Sequence, residues 1–201
     1  MSLARTLAAF ALIVWSPAIF AQAGGCEPCR AAGGTFDEAA GICVPAKVEG
    51  LRRVSESPER TASLKRYRNT QAIGFNAEGQ RLAITVYLYD RERNGADADR
   101  DEFRANISEI LSAHPGSTVE RKGHGSYPLA GRPTESDTAF LTWVDKGEVH
   151  GSLLQLFARD KRYFKIRATY LRPTGVEGEA MKAAFASIRK MADALCLVAP
   201  G

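Results

Sequence analysis

No stretch of this 201-residue chain stays apolar for long enough to cross a membrane as a helix. A spanning helix wants about 20 apolar residues, and the run from Leu7 to Trp15 is stopped by Ser16-Pro17. Charge of one sign is also scarce, with 27 Lys and Arg against 23 Asp and Glu. That balance excludes the concentrated basic face of a nucleic-acid binder. Local basic clusters at Arg52, Arg53, Arg60, Lys65, Arg66 and Arg68, and at Arg159, Lys161 and Arg162, read as solvated surface. The chain has no G-x-x-x-x-G-K-[ST] loop, no H-E-x-x-H helix and no G-x-S-x-G elbow. Nucleotide hydrolysis, zinc protease chemistry and the hydrolase elbow therefore have no support, and no cofactor is expected.

What is present begins with a leader. Arg5 supplies a positive start, Leu7 to Trp15 an apolar core, and Ala18 to Ala23 a small-residue end, the order of a secretory signal peptide. Ala21-Gln22-Ala23 places the expected cleavage after Ala23, with Ala21 as the alternative. A lipoprotein would need a branched apolar residue three before its cysteine, and Cys26 follows Ala23-Gly24-Gly25. Removing residues 1–23 leaves 178 residues with a formal charge of +3 and no membrane-spanning segment. That size suits one domain with a small appendage. The chain is expected to work in the periplasm or outside the cell.

Export decides how the four cysteines are read. Cys26, Cys29, Cys43 and Cys196 form an even set in an oxidising compartment, which predicts disulfides but leaves three pairings open. The segment between Cys29 and Cys43 carries Gly33-Gly34, Phe36 and Gly41 and suits a small loop clipped at its base, favouring Cys29 with Cys43. Cys26 would then pair with Cys196. The alternative is a thiol-disulfide oxidoreductase using Cys26-Glu27-Pro28-Cys29 as a redox pair. Such sites belong to βαβ patterns, and no strand precedes this pair.

Along the chain, residues 24–44 form a cysteine-containing module. Residues 45–62 are polar and read as a linker or wrapping segment, and residues 63–201 as an α+β domain. Leu82, Ile84, Val86 and Leu88 alternate with Ala83, Thr85, Tyr87 and Tyr89, a strand with one core face and one polar-aromatic face. Asp99 and Glu102 have capping-box spacing before the helical stripe Phe103, Ile107, Ile110 and Leu111. Ala139 to Val144 is apolar on both alternations, as a strand buried on two faces would be. Residues 149–158 and 163–170 alternate on either side of Asp160-Lys161 and predict an antiparallel hairpin. A two-residue loop sets Phe157 opposite Phe164 and Leu153 opposite Ala168, with Gln155 the misfit on the apolar side. Thr174 and Glu177 repeat the capping box before a closing helix with Met181, Phe185, Ile188, Ala192 and Leu195 as its buried stripe.

An antiparallel sheet with two main helices gives an α+β layer architecture. Its order, with a strand ending Val86-Tyr87-Leu88-Tyr89-Asp90 before the first helix and a hairpin before the last, resembles the PsbP-like α/β/α sandwich. That group includes the extrinsic photosystem II protein and many uncharacterised bacterial secreted proteins. The resemblance spans about residues 64 to 197, excludes the cysteine module and carries over no functional residue. It implies an accessory or binding role.

Few side-chain constellations suggest chemistry. His124-Gly125-Ser126 and His150-Gly151-Ser152 repeat a tripeptide, but strand residues two apart start about 7 Å from each other. Asp97, Asp99 and Asp101 begin like a calcium loop, yet Glu102 and Ser108 stand where Gly and Glu are required. Those acids suit the positive end of a helix. The candidate site is the polar-aromatic sheet face, where Tyr87, Tyr89, His150, Tyr163, Lys165 and Arg167 converge if their strands are neighbours. Amphipathic rings beside cations suit an envelope protein or an anionic glycan or lipid. Alternatively, a helix or the 45–62 segment covers this face, and the chain is purely structural or inhibitory.

Overall fold

The period-2 apolar patterns pair as strands in the computed structural model, which describes residues 26–54, 69–159, 161–173 and 177–197. In chain order the elements are α1 (Glu27–Ala31), β1 (Thr35–Asp37), β2 (Ile42–Val44), β3 (Leu51–Val54), β4 (Gln71–Ala77) and β5 (Leu82–Asp90). Then come α2 (Ala96–Ala113), β6 (Thr118–Leu129), β7 (Arg132–Asp145), β8 (Glu148–Arg159), β9 (Arg162–Leu171), α3 (Glu177–Ala194) and β10 (Cys196–Leu197). The expected leader, residues 55–62 of the expected linker, and Thr174 of the second capping box lie outside the described residues. No helix among the described residues is long and apolar enough to cross a membrane.

The fold is α+β. Seven strands form an antiparallel sheet ordered β3-β4-β5-β9-β8-β7-β6, and β1-β2-β10 form a smaller one. Successive side chains on a strand point to opposite faces. Ile84, Val86, Leu153, Phe157, Phe164 and Ile166 therefore meet Ile188 and Met191 of α3 on one face. Leu154, Leu156, Ala139 and Leu141 meet Phe103, Ile107 and Ile110 of α2 on the other. Each such large apolar side chain, fully buried, contributes about 1.5–3 kcal/mol. The result is a helix–sheet–helix sandwich.

The β8–β9 hairpin has the expected register, pairing Phe157 with Phe164 and Leu153 with Ala168. Gln155, the misfit, is buried and donates from Nε2 to Ser136 Oγ at 3.0 Å, which satisfies its amide on the apolar side. The disulfides join Cys29 to Cys43 and Cys26 to Cys196. Gly34 sits so close to the first bridge that a Cβ there would lie 2.5 Å from Cys29 Sγ and 2.9 Å from Cys43 Sγ. The second bridge fastens the module to the end of α3 across 170 residues. Arg162, buried on β9, reaches Asp37 of the module and Asp90 of β5, and donates to the Asn69 carbonyl at 2.8 Å. A covalent bridge and a buried ion pair thus hold the module against the sheet.

Four expectations need correction. Leu51–Val54, assigned to a linker or wrap, is an edge strand pairing with β4; four residues with two arginines show no sustained alternation. The helix α2 begins at Ala96, three residues before Asp99, with Gly95 at its N-cap and no side-chain cap. Asp99 and Glu102 instead serve partners across the fold. The strand over Ala139–Val144 is fully buried on the face of Ala139, Leu141 and Trp143 and only partly on the other, where Phe140 packs against the α3 core but Val144 is 63% exposed. The stripe of α3 is buried at Ile188, Ala192 and Leu195 as expected, but its first two members are not, with Met181 38% and Phe185 40% exposed. Small Ala180 and Ala184 face the core instead and turn Phe185 toward the Tyr127 ring, 6.5 Å between centroids.

Candidate functional site

Strands β5 and β9 are neighbours, with Tyr87 opposite Lys165 and Tyr89 opposite Tyr163, so the polar-aromatic residues do gather. They gather beneath α2. Tyr89 is 1%, Tyr163 4% and Lys165 5% exposed, so a helix covers this face, the alternative raised from the sequence. Buried polar tips need partners, and α2 supplies them. Lys165 Nζ donates to Asn106 Oδ1 at 2.6 Å and lies 4.2 Å from the Tyr87 ring centroid. Asn106 Nδ2 donates to the Tyr89 hydroxyl at 3.0 Å and to Glu102 Oε1 at 2.7 Å. Tyr163 donates to Asp99 Oδ1 at 2.9 Å, and Arg91 grips the same carboxylate from Nε and Nη2 at 2.9 and 2.7 Å. Burial, and then the hydrogen bond and negative charge of Asp99, push the Tyr163 phenol well above its ordinary range.

Arg167 and His150 lie toward the other end of the sheet. Arg167 donates from Nε to Ser152 Oγ at 3.1 Å and approaches His114 Nε2 with Nη2 at 3.4 Å. His150 stacks on Trp143 at 5.6 Å, and Trp143 stacks on His114 at 4.1 Å. Through this stack and His114, His150 is joined to Arg167. The His114 imidazole is lowered from its usual range by burial, by the adjacent Arg167 charge and by His150, against Asp145.

The other constellations are also accounted for. Ser152 accepts a hydrogen bond from Arg167, an arrangement without a general base for its hydroxyl. Asp97 pairs with Arg100, Asp99 with Arg91, and Asp101 with Arg104 and Arg93. Among the described residues no group of three His, Cys, Asp or Glu side chains could hold a metal ion. Cys26 and Cys29 are each bridged to a different distant cysteine, so the bridges are structural and not a redox pair.

Where α2 begins, the sheet is left open. A cleft of about 570 Å³ lies between the first turn of α2 and strands β6–β8, with Leu156, Ala158 and Ala96 as its apolar surface. Arg91, Asp99 and Arg100 stand on the helix side, and His124, Glu135 and Asp137 on the strand side. His124 reaches Asp137 Oδ1 through Nδ1 at 3.0 Å and Glu135 Oε2 through Nε2 at 3.2 Å. Sequence reasoning missed this cleft. Its signal is the turn at Ala130-Gly131, where both residues have positive φ, as a two-residue hairpin turn of the primed type requires. Such a turn sets His124 opposite Asp137 and Ser126 opposite Glu135.

No family model and no curated protein matches the chain. Solved structures with a similar layout include LpqN of Mycobacterium tuberculosis, involved in cell envelope biogenesis, at 13% identity and a TM-score of 0.47 over 83% of this chain and 90% of that one. The Ran-binding protein Mog1p of Saccharomyces cerevisiae gives 10% identity and 0.45 over 79% and 88%. A Pseudomonas aeruginosa protein of unknown function, PA94, gives 11% and 0.41 over 66% and 84%. Likenesses at this level bear on neither partner nor activity.

Proposed function

We propose that the chain is an exported, non-enzymatic binding module, working in the periplasm or outside the cell, whose partner enters the cleft at the amino end of α2. The observation that carries this reading is the cleft itself, a concave apolar surface rimmed by a few polar groups, the usual form of a binding site. Two disulfides support the compartment, because such bridges persist where conditions are oxidising. The PsbP-like layout adds an accessory role by analogy only.

Of the partner classes expected from sequence, a protein suits the cleft better than an anionic glycan or lipid. Lys165 and Arg167, the cations meant to meet an anion, spend their charge on Asn106, Ser152 and the rings around them. In the cleft, Arg91 and Arg100 already face Asp99 and Asp97. Photocrosslinking from position 100 on the rim, in envelope extract of the source organism, tests the seat. The expected result is an adduct that Ala158→Trp, which fills the cleft, abolishes. An adduct formed equally by both proteins, or by neither, would overturn the assignment.

A further inference from the structure

Beneath α2 a primary amine is held against a primary amide. Lys165 Nζ lies 2.6 Å from Asn106 Oδ1. The amide carbon, one C=O bond of about 1.23 Å beyond that oxygen, is therefore within about 3.8 Å of the amine, near the roughly 3–3.5 Å of groups poised to react. Both side chains are buried. An ammonium only donates and a carboxylate only accepts, so the amide is fixed one way round, with Oδ1 toward Lys165 and Nδ2 toward Glu102 Oε1 at 2.7 Å. The Glu102 carbonyl at 2.9 Å and the Tyr89 hydroxyl at 3.0 Å also hold Nδ2. On the amine side, Glu109 Oε2 lies 3.9 Å from Nζ and the Tyr87 ring 4.2 Å from it. A buried ammonium is most simply answered by a carboxylate. Here an amide stands between Lys165 and Glu102, and each nitrogen of the pair has a carboxylate beside it.

We propose that Lys165 and Asn106 condense into an isopeptide bond that ties β9 to α2 covalently. Glu109 takes a proton from the Lys165 ammonium, and the freed amine, desolvated as a nucleophilic lysine must be, attacks the Asn106 amide carbon. The Nζ–Cγ bond forms and the Cγ–Nδ2 bond breaks. Glu102 carries the proton that Nζ loses to Nδ2, which leaves as ammonia. The proton on Glu109, which is partly exposed, passes to water. No oxidant or cofactor takes part, and the chain becomes lighter by one ammonia. Holding the two groups in place supplies the rate that free amines and amides lack. The hydrogen-bonded pair is thus the reactant state of the crosslink.

The test is a tryptic peptide map, by mass spectrometry, of the full disulfide-bonded chain, unfolded and reduced just before digestion. The expected product is a branched peptide joining residues 105–121 to residues 163–167, uncleaved after Lys165 and one ammonia lighter than the sum of the two. The branch decides rather than the intact mass, because Asn94-Gly95 can also lose ammonia by closing to a succinimide. Lys165→Arg should abolish the branch. Glu102→Gln, which can still accept from Asn106 Nδ2, should keep its native circular dichroism and slow the appearance of the branch after refolding about a hundredfold or more, the scale of lost acid–base catalysis. The wild-type chain carries the decisive reading, so a variant that fails to fold does not blunt the test. A wild-type map that releases residues 105–121 and 163–165 separately would overturn the proposal, as would a branch that forms equally fast in Glu102→Gln.

Discussion

Beneath α3 the sheet presents Phe157, Phe164, Ile166 and Val86, and the helix answers with Ile188 and Met191. Beneath α2 it presents Tyr89, Tyr163 and Lys165, and the helix answers with Asn106, Glu102 and Asp99. Both faces are buried, but the first is held by area and shape alone, while the second adds matched donors and acceptors to the apolar packing of Phe103, Ile107 and Ile110. Area is non-directional, so the α3 face tolerates Ala180 and Ala184 against the core with Met181 and Phe185 outside. Matched polar pairs are directional, and an unmatched one costs the full desolvation of the group left behind. The face with the more ligand-like composition is therefore an internal joint, and the open surface falls at its end.

Mutations can break this contrast. Phe164→Ala removes a fully buried ring from the α3 face and should cost about 3–5 kcal/mol in urea unfolding, as large cavities do. A loss below 1 kcal/mol would mean that face is not close-packed. On the same side, replacing Cys26 and Cys196 together with serine should cost about 2–5 kcal/mol, while the sheet keeps its circular dichroism. On the α2 face, Asn106→Leu takes away the acceptor used by Lys165 and a donor to Tyr89. Its coupling with Lys165→Met in a double-mutant cycle should be about 1–3 kcal/mol, and additive losses would contradict the joint.

A smaller effect is expected where the polar face ends. The fold lowers His114, so it binds fewer protons there than the unfolded chain does. This contribution is complete above the ordinary imidazole value of about 6.5 and is lost as pH falls below it. Urea midpoints should decline between pH 7.5 and 5.5, less steeply in His114→Gln; equal slopes would remove His114 from the account. Smallest of all, Met181→Ser should stay within about 0.5 kcal/mol, like other surface substitutions.

Much of this was legible in the residues. Alternation gave β5 and the β8–β9 hairpin, and the register that a two-residue loop sets, Phe157 opposite Phe164, is the one found. The glycine-rich loop between Cys29 and Cys43 favoured, among three possible pairings, the one found. The whole of β6 and the start of β7 were not legible, because residues 118–129 and Arg132-Pro133-Thr134 show no apolar alternation. Nor was the fate of the polar face. Tyrosine, lysine and arginine have the same pattern whether their tips meet water or a helix carrying Asn106 and Asp99, and only the packing of α2 decides between them. The cleft was hidden with it, since Glu135 and His124 come together only through the β6–β7 register.

Amine-reactive labelling of the native chain, read residue by residue by mass spectrometry, tests the central contrast most directly. Lys165, buried on Asn106 and Tyr87, should stay protected while Lys182, with its side chain 74% exposed, is modified readily. Modification of both at similar rates would show that the polar-aromatic face is open to solvent, and would contradict this account.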